Sequence, residues 1–180
     1  MFKLLLIQVL FFLISSIPAY AHAPWGQYQV YRQKHLLIMS TIVDEPTYPY
    51  SRKLVEALNQ VLPEAKARPA RAKNFERVHN LFKTKQMHLV LLSKSNAKAL
   101  LEGSGPFSDF GAVNVRTLYE FGEMLLLVQP DFPDSHVWIL ADAFKKIYDR
   151  LPGALSPEKM MSLTNLHPAV LLAIRGDSIP

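Results

Sequence analysis

Thr47, Tyr48, Tyr50, Ser51, Arg71, Ser93 and Ser95 carry the functional groups needed to hold a small anion, and each falls near a predicted strand end or helix start. The first N–H groups of a helix have no intrahelical acceptor, and the helix dipole favours negative charge there. Hydroxyls beside such groups solvate a carboxylate. Arg71 adds a planar guanidinium able to grip both carboxylate oxygens, and Tyr48 or Tyr50 supplies a flat wall for stacking. The plainer reading of the same residues is that Ser51, Ser93 and Ser95 cap helices and that the tyrosines are half-buried packing.

Other chemistries find less support. The histidines are His22, His35, His79, His88, His136 and His167. No pair has the helical spacing of a metal site, which argues against a zinc hydrolase. His22 stands apart, because cleavage after Ala21 would make it the amino terminus. There an amine and an imidazole on one residue chelate copper, with His35 as a further ligand. The ordinary alternative is an accident of cleavage. No serine sits in a Gly-x-Ser-x-Gly elbow, and there is neither a phosphate-cradling glycine loop nor a cysteine nucleophile. Asp131 and Asp134 flank Pro133 in a turn, a poor setting for acid and base work. Neither catalysis nor a cofactor is expected.

Met1-Phe2-Lys3, the apolar run Leu4–Ile14, Pro18 and the small-residue site at Ala19 and Ala21 form a secretory signal peptide over 1–21, too short for a comfortable membrane span. Residues 22–180 are then about one domain's worth of chain. Without cysteine, an exported chain is stabilised by packing alone, and the bacterial periplasm fits best. Loss of Lys3 takes the formal charge from +5 to +4. That mild basicity suits an acidic small ligand or an acidic protein and is too diffuse for nucleic acid. Arg68, Arg71, Lys73, Lys83 and Lys85 read as a solvated basic face, with an acidic partner as the sharper alternative.

The elements that must position these groups follow from periodicity. Leu36–Val43 reads as a buried strand ended by Asp44-Glu45-Pro46, and Tyr50–Leu62 has helical apolar spacing that stops at Pro63. Ala65–Ala70 is a second strand, placed at an edge by Pro69. Asn74 caps a helix through Phe75, Val78, Leu81 and Phe82. Met87–Leu92 is a third strand, followed by a helix over Ser95–Leu101 and the breakers Gly103-Ser104-Gly105-Pro106. Val113–Tyr119 and Glu123–Val128 are two more strands joined through Phe121-Gly122. Ser135–Leu151 is a strongly amphipathic helix with Trp138 and Phe144 on its apolar side. A short helix over Pro157–Leu163 and one after Pro168 complete the chain. Strand and helix alternate, which predicts a single three-layer α/β/α lobe with a mostly parallel five-stranded sheet. In such a sheet, ligands sit beyond the carboxyl ends of the strands.

Three stretches in register resemble the solute-binding proteins of the TAXI branch of tripartite ATP-independent periplasmic transporters. The first runs from Met87–Ser93 through Gly103-Ser104-Gly105-Pro106-Phe107 to Val115-Arg116-Thr117-Leu118. The second is Tyr48-Pro49-Tyr50-Ser51, and the third is Leu166-His167-Pro168-Ala169 with Arg175-Gly176. The resemblance implies a type II periplasmic-binding-protein-like lobe. It also departs from the family. The second lobe is missing, since Asp131-Phe132-Pro133-Asp134 runs straight into the closing helix. Asp44, Glu45 and Pro46 replace the glycines of the family's first turn, and Ala169 stands where the family has glycine first.

The expected function is therefore that of a periplasmic solute-binding-like protein for a small carboxylate, associated with a transporter. The alternative is an accessory protein whose vacated ligand face binds another exported or membrane protein, or a second copy of the chain. Amino-terminal sequencing of the exported protein is expected to begin at His22, and an intact Met1 would remove the signal-peptide reading.

Overall fold

Apolar residues in the central strands point alternately to two faces, so neither face of the sheet is left to solvent. The computed structural model describes residues 34–180. The signal peptide expected over 1–21 and the copper-type terminus at His22 lie outside the described residues. Strand β1 (Leu37–Thr41) sends Ile38 into one core and Met39 into the other. Strand β3 (Leu89–Ser93) divides Leu89 and Leu91 from Val90 and Leu92 in the same way, as the period of two requires. Strands β2 (Arg68–Ala72), β4 (Arg116–Phe121) and β5 (Met124–Val128) complete the order β2-β1-β3-β5-β4.

The sheet is mixed, which corrects the mostly parallel arrangement expected from the sequence. β1 pairs parallel with β2 and β3, whereas β5 lies antiparallel to both β3 and β4. The reason is loop length. Only Gly122 and Glu123 separate β4 from β5, and a parallel crossover needs a dozen or more residues. Gly122 adopts φ +59°, the left-handed conformation such a turn favours. β4 also starts later than expected, at Arg116 instead of Val113.

Helices cover both faces. Helices α1 (Thr47–Val61), α4 (Asp134–Ile147) and α6 (Pro168–Arg175) pack with Ile38, Leu89 and Leu126. Helices α2 (Phe75–Lys83) and α3 (Lys94–Glu102) pack on the other face with Met39, Leu92 and Phe107. Asn74 caps α2 by accepting from Arg77 N–H at 2.9 Å, as its position predicts. The short helix α5 (Pro157–Met160) adds Met160 to the first core. Among the described residues, no helix is long and apolar enough to cross a membrane.

Both outer strands are guarded. β2 is an edge, as Pro69 requires. Arg68 N–H donates to Leu36 across the β1 ladder, so the missing N–H of Pro69 falls on the outer side, where no ladder needs it. On β4, Thr117 N–H donates to Asn165 carbonyl at 2.7 Å and His167 N–H donates to Thr117 carbonyl at 3.0 Å. Leu155 N–H donates to Glu120 carbonyl at the other end of the strand. The chain's own later segments thereby cover an edge that would otherwise template pairing.

His167 joins this edge to α6. Its ring is 2 % exposed, and Nδ1 accepts from Ala169 N–H at 3.3 Å as a helix cap. Burial pushes its pKa below the ordinary 6.5, against the opposing pull of Asp134 at 3.7 Å. Protonation would remove the capping lone pair. Because the folded pKa is depressed, the contribution of neutral His167 is complete above the unfolded value and is lost as pH falls from there toward the folded one. Melting temperatures are expected to drop more steeply below about pH 6.5 for the wild type than for His167→Asn, which keeps a capping acceptor without titrating; parallel slopes would exclude His167 as the titrating group. Gly103 closes α3 at φ +63°, and a Cβ there would sit 2.4 Å from Ala112 N. Gly103→Ala should lower urea stability by at least about 1–2 kcal/mol from the left-handed backbone alone.

Candidate functional site

The candidate residues gather at the carboxyl ends of β1, β2 and β3, because these neighbouring strands run in one direction. After β1, the turn 42–46 is tied down by its own backbone. Thr47 N–H donates to Asp44 carbonyl at 2.9 Å, and Tyr50 N–H donates to Pro46 carbonyl at 3.1 Å. Thr47–Ser51, expected as a loop, forms the first turn of α1 instead. Pro49 is tolerated there because first-turn N–H groups have no intrahelical acceptor.

Several of the candidate hydroxyls are committed inside the fold. Thr47 is fully buried and donates through Oγ1 to Thr41 carbonyl at 3.2 Å. Ser51 is fully buried, 3.0 Å from Ser40 Oγ and 2.8 Å from the Tyr48 carbonyl it donates to. Tyr50 is buried against Phe121, with ring centroids 5.4 Å apart, and donates its hydroxyl to Pro152 carbonyl at 2.8 Å. Desolvation raises the Tyr50 phenol well above its ordinary pKa. Ser93 caps α3, accepting from Asn96 N–H at 3.4 Å, and lies 3.2 Å from Ser95 Oγ.

Tyr48, Arg71 and Ser95 remain toward solvent. Tyr48 is half-buried, and the Arg71 guanidinium lies over its ring, 5.7 Å from the centroid. An exposed contact of this kind contributes about 0.5–1 kcal/mol. Arg71 is opposite Ser40 and Ala72 opposite Thr41 in the β1–β2 register, so Lys73 and Ile42 are the first residues beyond the paired ends of their strands. The basic zone read from the sequence is divided. Lys83 and Lys85 precede β3 and so lie at its amino end, where Lys85 pairs with Asp131.

Asp44 decides the electrostatics of this edge. Its side chain is 5 % exposed, and its two oxygens accept from Ser93 N–H and from Asn96 Nδ2, each at 2.8 Å. A carboxylate of the chain therefore already lies against the start of α3, where the helix dipole favours negative charge. In the sequence Asp44 reads only as a strand terminator and a replacement for glycine. Its role was available by one further inference: adjacent parallel strands end side by side, so the turn after β1 must meet the start of the helix after β3.

At the amino end of β3, Phe82, Lys83, Lys85, Asn114, Gln129 and Asp131 help to line an open cavity of about 350 Å³. Gln129 donates through Nε2 to Phe82 carbonyl, and its Oε1 has no hydrogen-bond partner among the described residues. That oxygen is sealed from solvent, so a molecule in the cavity would not reach it. No group of three or more His, Asp or Glu among the described residues is placed to hold a metal ion. No protein-family model matches this chain, and no curated protein matches it either.

Asp44→Ala removes the carboxylate that accepts from Ser93 N–H and from Asn96 Nδ2. Stability in urea is expected to fall by about 1–3 kcal/mol. Formate or acetate should restore part of the loss in the variant and leave the wild type unchanged. A variant as stable as the wild type would mean that Asp44 does not hold the start of α3.

Proposed function

We propose that this chain is a non-catalytic exported protein that acts in the periplasm, and that its working surface is the edge where β1, β2 and β3 end. Two occupants compete for that edge: a small carboxylate-type solute and a partner protein. The partner reading is favoured, and Asp44 carries it. A free carboxylate would have to displace a buried one that already has two hydrogen bonds, in a competition with no gain in charge complementarity. The internal commitments of Thr47, Tyr50 and Ser51 point the same way. What these leave outward is a surface of side chains, which suits a polypeptide better than a small molecule that must be enclosed to bind well.

The reading includes a relationship to one lobe of TAXI-type solute-binding proteins. Its support is the three sequence stretches in register together with helices packed on both faces of the sheet. A solute-binding role coupled to a transporter is the second reading. Arg71 favours it, being exposed and outside every ion pair of the described residues.

A thermal-shift titration of the exported protein with acetate, succinate and glutamate separates the two, since a ligand that binds only the native state raises its apparent stability. The partner reading expects no saturable rise with any of them. A saturable rise that disappears in Arg71→Ala would replace it with the solute-binding reading.

A further inference from the structure

We infer that the partner contacts this edge through an acidic segment bearing apolar side chains, received by Ile42 and Val43 together with Arg71 and Lys73. The inference rests on the partner reading and names the chemistry of that partner. Ile42 and Val43 are 47 % and 52 % exposed, two adjacent β-branched residues in the turn after β1. Their neighbours explain why they project. Thr41, Asp44 and Thr47 are buried with their polar groups bonded inward, so the turn holds Ile42 and Val43 outward and cannot fold them into either core. Apolar groups held toward water on a tethered turn lose little further freedom when a partner covers them.

The basic side chains of this edge belong to no ion pair of the described residues. Among the described residues, Lys85, Lys94, Lys98 and Lys146 each sit within 4.0 Å of a carboxylate. Arg71 and Lys73 are exposed and belong to no such pair, as does Arg77 in the helix that follows them. The acidic side chains of the same region are Glu45 in the turn and Glu76 in the first turn of α2, both exposed and likewise outside the ion pairs. Asp44 is held inward on α3. The Tyr48 ring under Arg71 steadies the guanidinium without neutralising it. Free cations next to an exposed apolar pair complement a segment that alternates acidic and apolar side chains, with the charges setting encounter rate and orientation.

Fluorescence anisotropy of the purified exported protein with a short labelled peptide of alternating glutamate and leucine tests this. Peptides of glutamine and leucine, and vesicles containing phosphatidylglycerol, serve as comparisons. Saturable binding of the glutamate peptide is expected, weakened at least about tenfold by the Arg71→Glu, Lys73→Glu pair and by raised salt. Ile42→Ser should weaken it without changing the salt dependence. All these positions are exposed, so melting temperatures should stay within about a degree or two of the wild type. Equal binding of the glutamine peptide, or no binding of either, overturns the acidic-segment inference while leaving the partner reading in place. Binding to the vesicles alone overturns it in favour of a membrane surface. Saturable succinate binding lost in Arg71→Ala removes the partner reading itself.

Discussion

Burial of both faces of the three central strands is the constraint on which the rest of this molecule depends. Ile38, Met39, Leu89, Val90, Leu91, Leu92, Leu126 and Leu127 are all essentially inaccessible. A strand with apolar groups on both sides cannot stand in water, so helices must cover each face. α1, α4 and α6 are drawn to one side and α2 and α3 to the other. The connections that follow β1, β2 and β3 become crossovers as a consequence, and crossovers deliver every succeeding helix start to the same edge. The candidate site exists there because of packing, before any question of ligand arises.

The aromatic cluster shows how that packing also organises the far part of the chain. Tyr119, Phe121 and Phe144 meet one another in tilted and edge-on contacts, and Tyr50 meets Phe121, with ring centroids 5.1–5.7 Å apart. Buried phenols need a hydrogen-bond partner, and both find one in the segment after α4: Tyr50 in Pro152 carbonyl and Tyr119 in Leu155 carbonyl, each at 2.8 Å. These two bonds bring residues 152–155 alongside β4, where they help to guard its edge. Tyr50 thus joins the first helix to the segment that follows the fourth, a role that commits its hydroxyl within the fold.

Charge at the carboxyl edge is arranged in two layers. The inner layer is closed: Asp44 satisfies the start of α3, and Ser93 caps the same helix. The outer layer is open, with Arg71 over Tyr48, and with Lys73 and Ile42 following the paired ends of β2 and β1. An edge built this way has no interior demand for an anion, yet presents positive charge outward. That separation of a satisfied interior from an unsatisfied rim is the electrostatic argument behind the proposal of a protein partner over a small solute.

Local pattern by itself determined the kinds of elements and most of their places. The apolar runs of β1, β3 and β5, the edge position of β2 from Pro69, the cap at Asn74 and the amphipathic α4 all follow from spacing over a few residues. The choice of Thr47, Tyr48, Tyr50, Ser51, Arg71, Ser93 and Ser95 followed from one rule about where parallel strands end. Tertiary structure alone decided which of those groups face outward, because burial depends on what packs against a residue from distant parts of the chain. Tyr50 meets Pro152, and Asp44 meets Ser93 and Asn96, across separations that no local pattern records. The mixed sheet belongs to the same class: a two-residue turn makes β4 and β5 antiparallel, but only the assembled core places β5 between β3 and β4, where its two faces can both be buried.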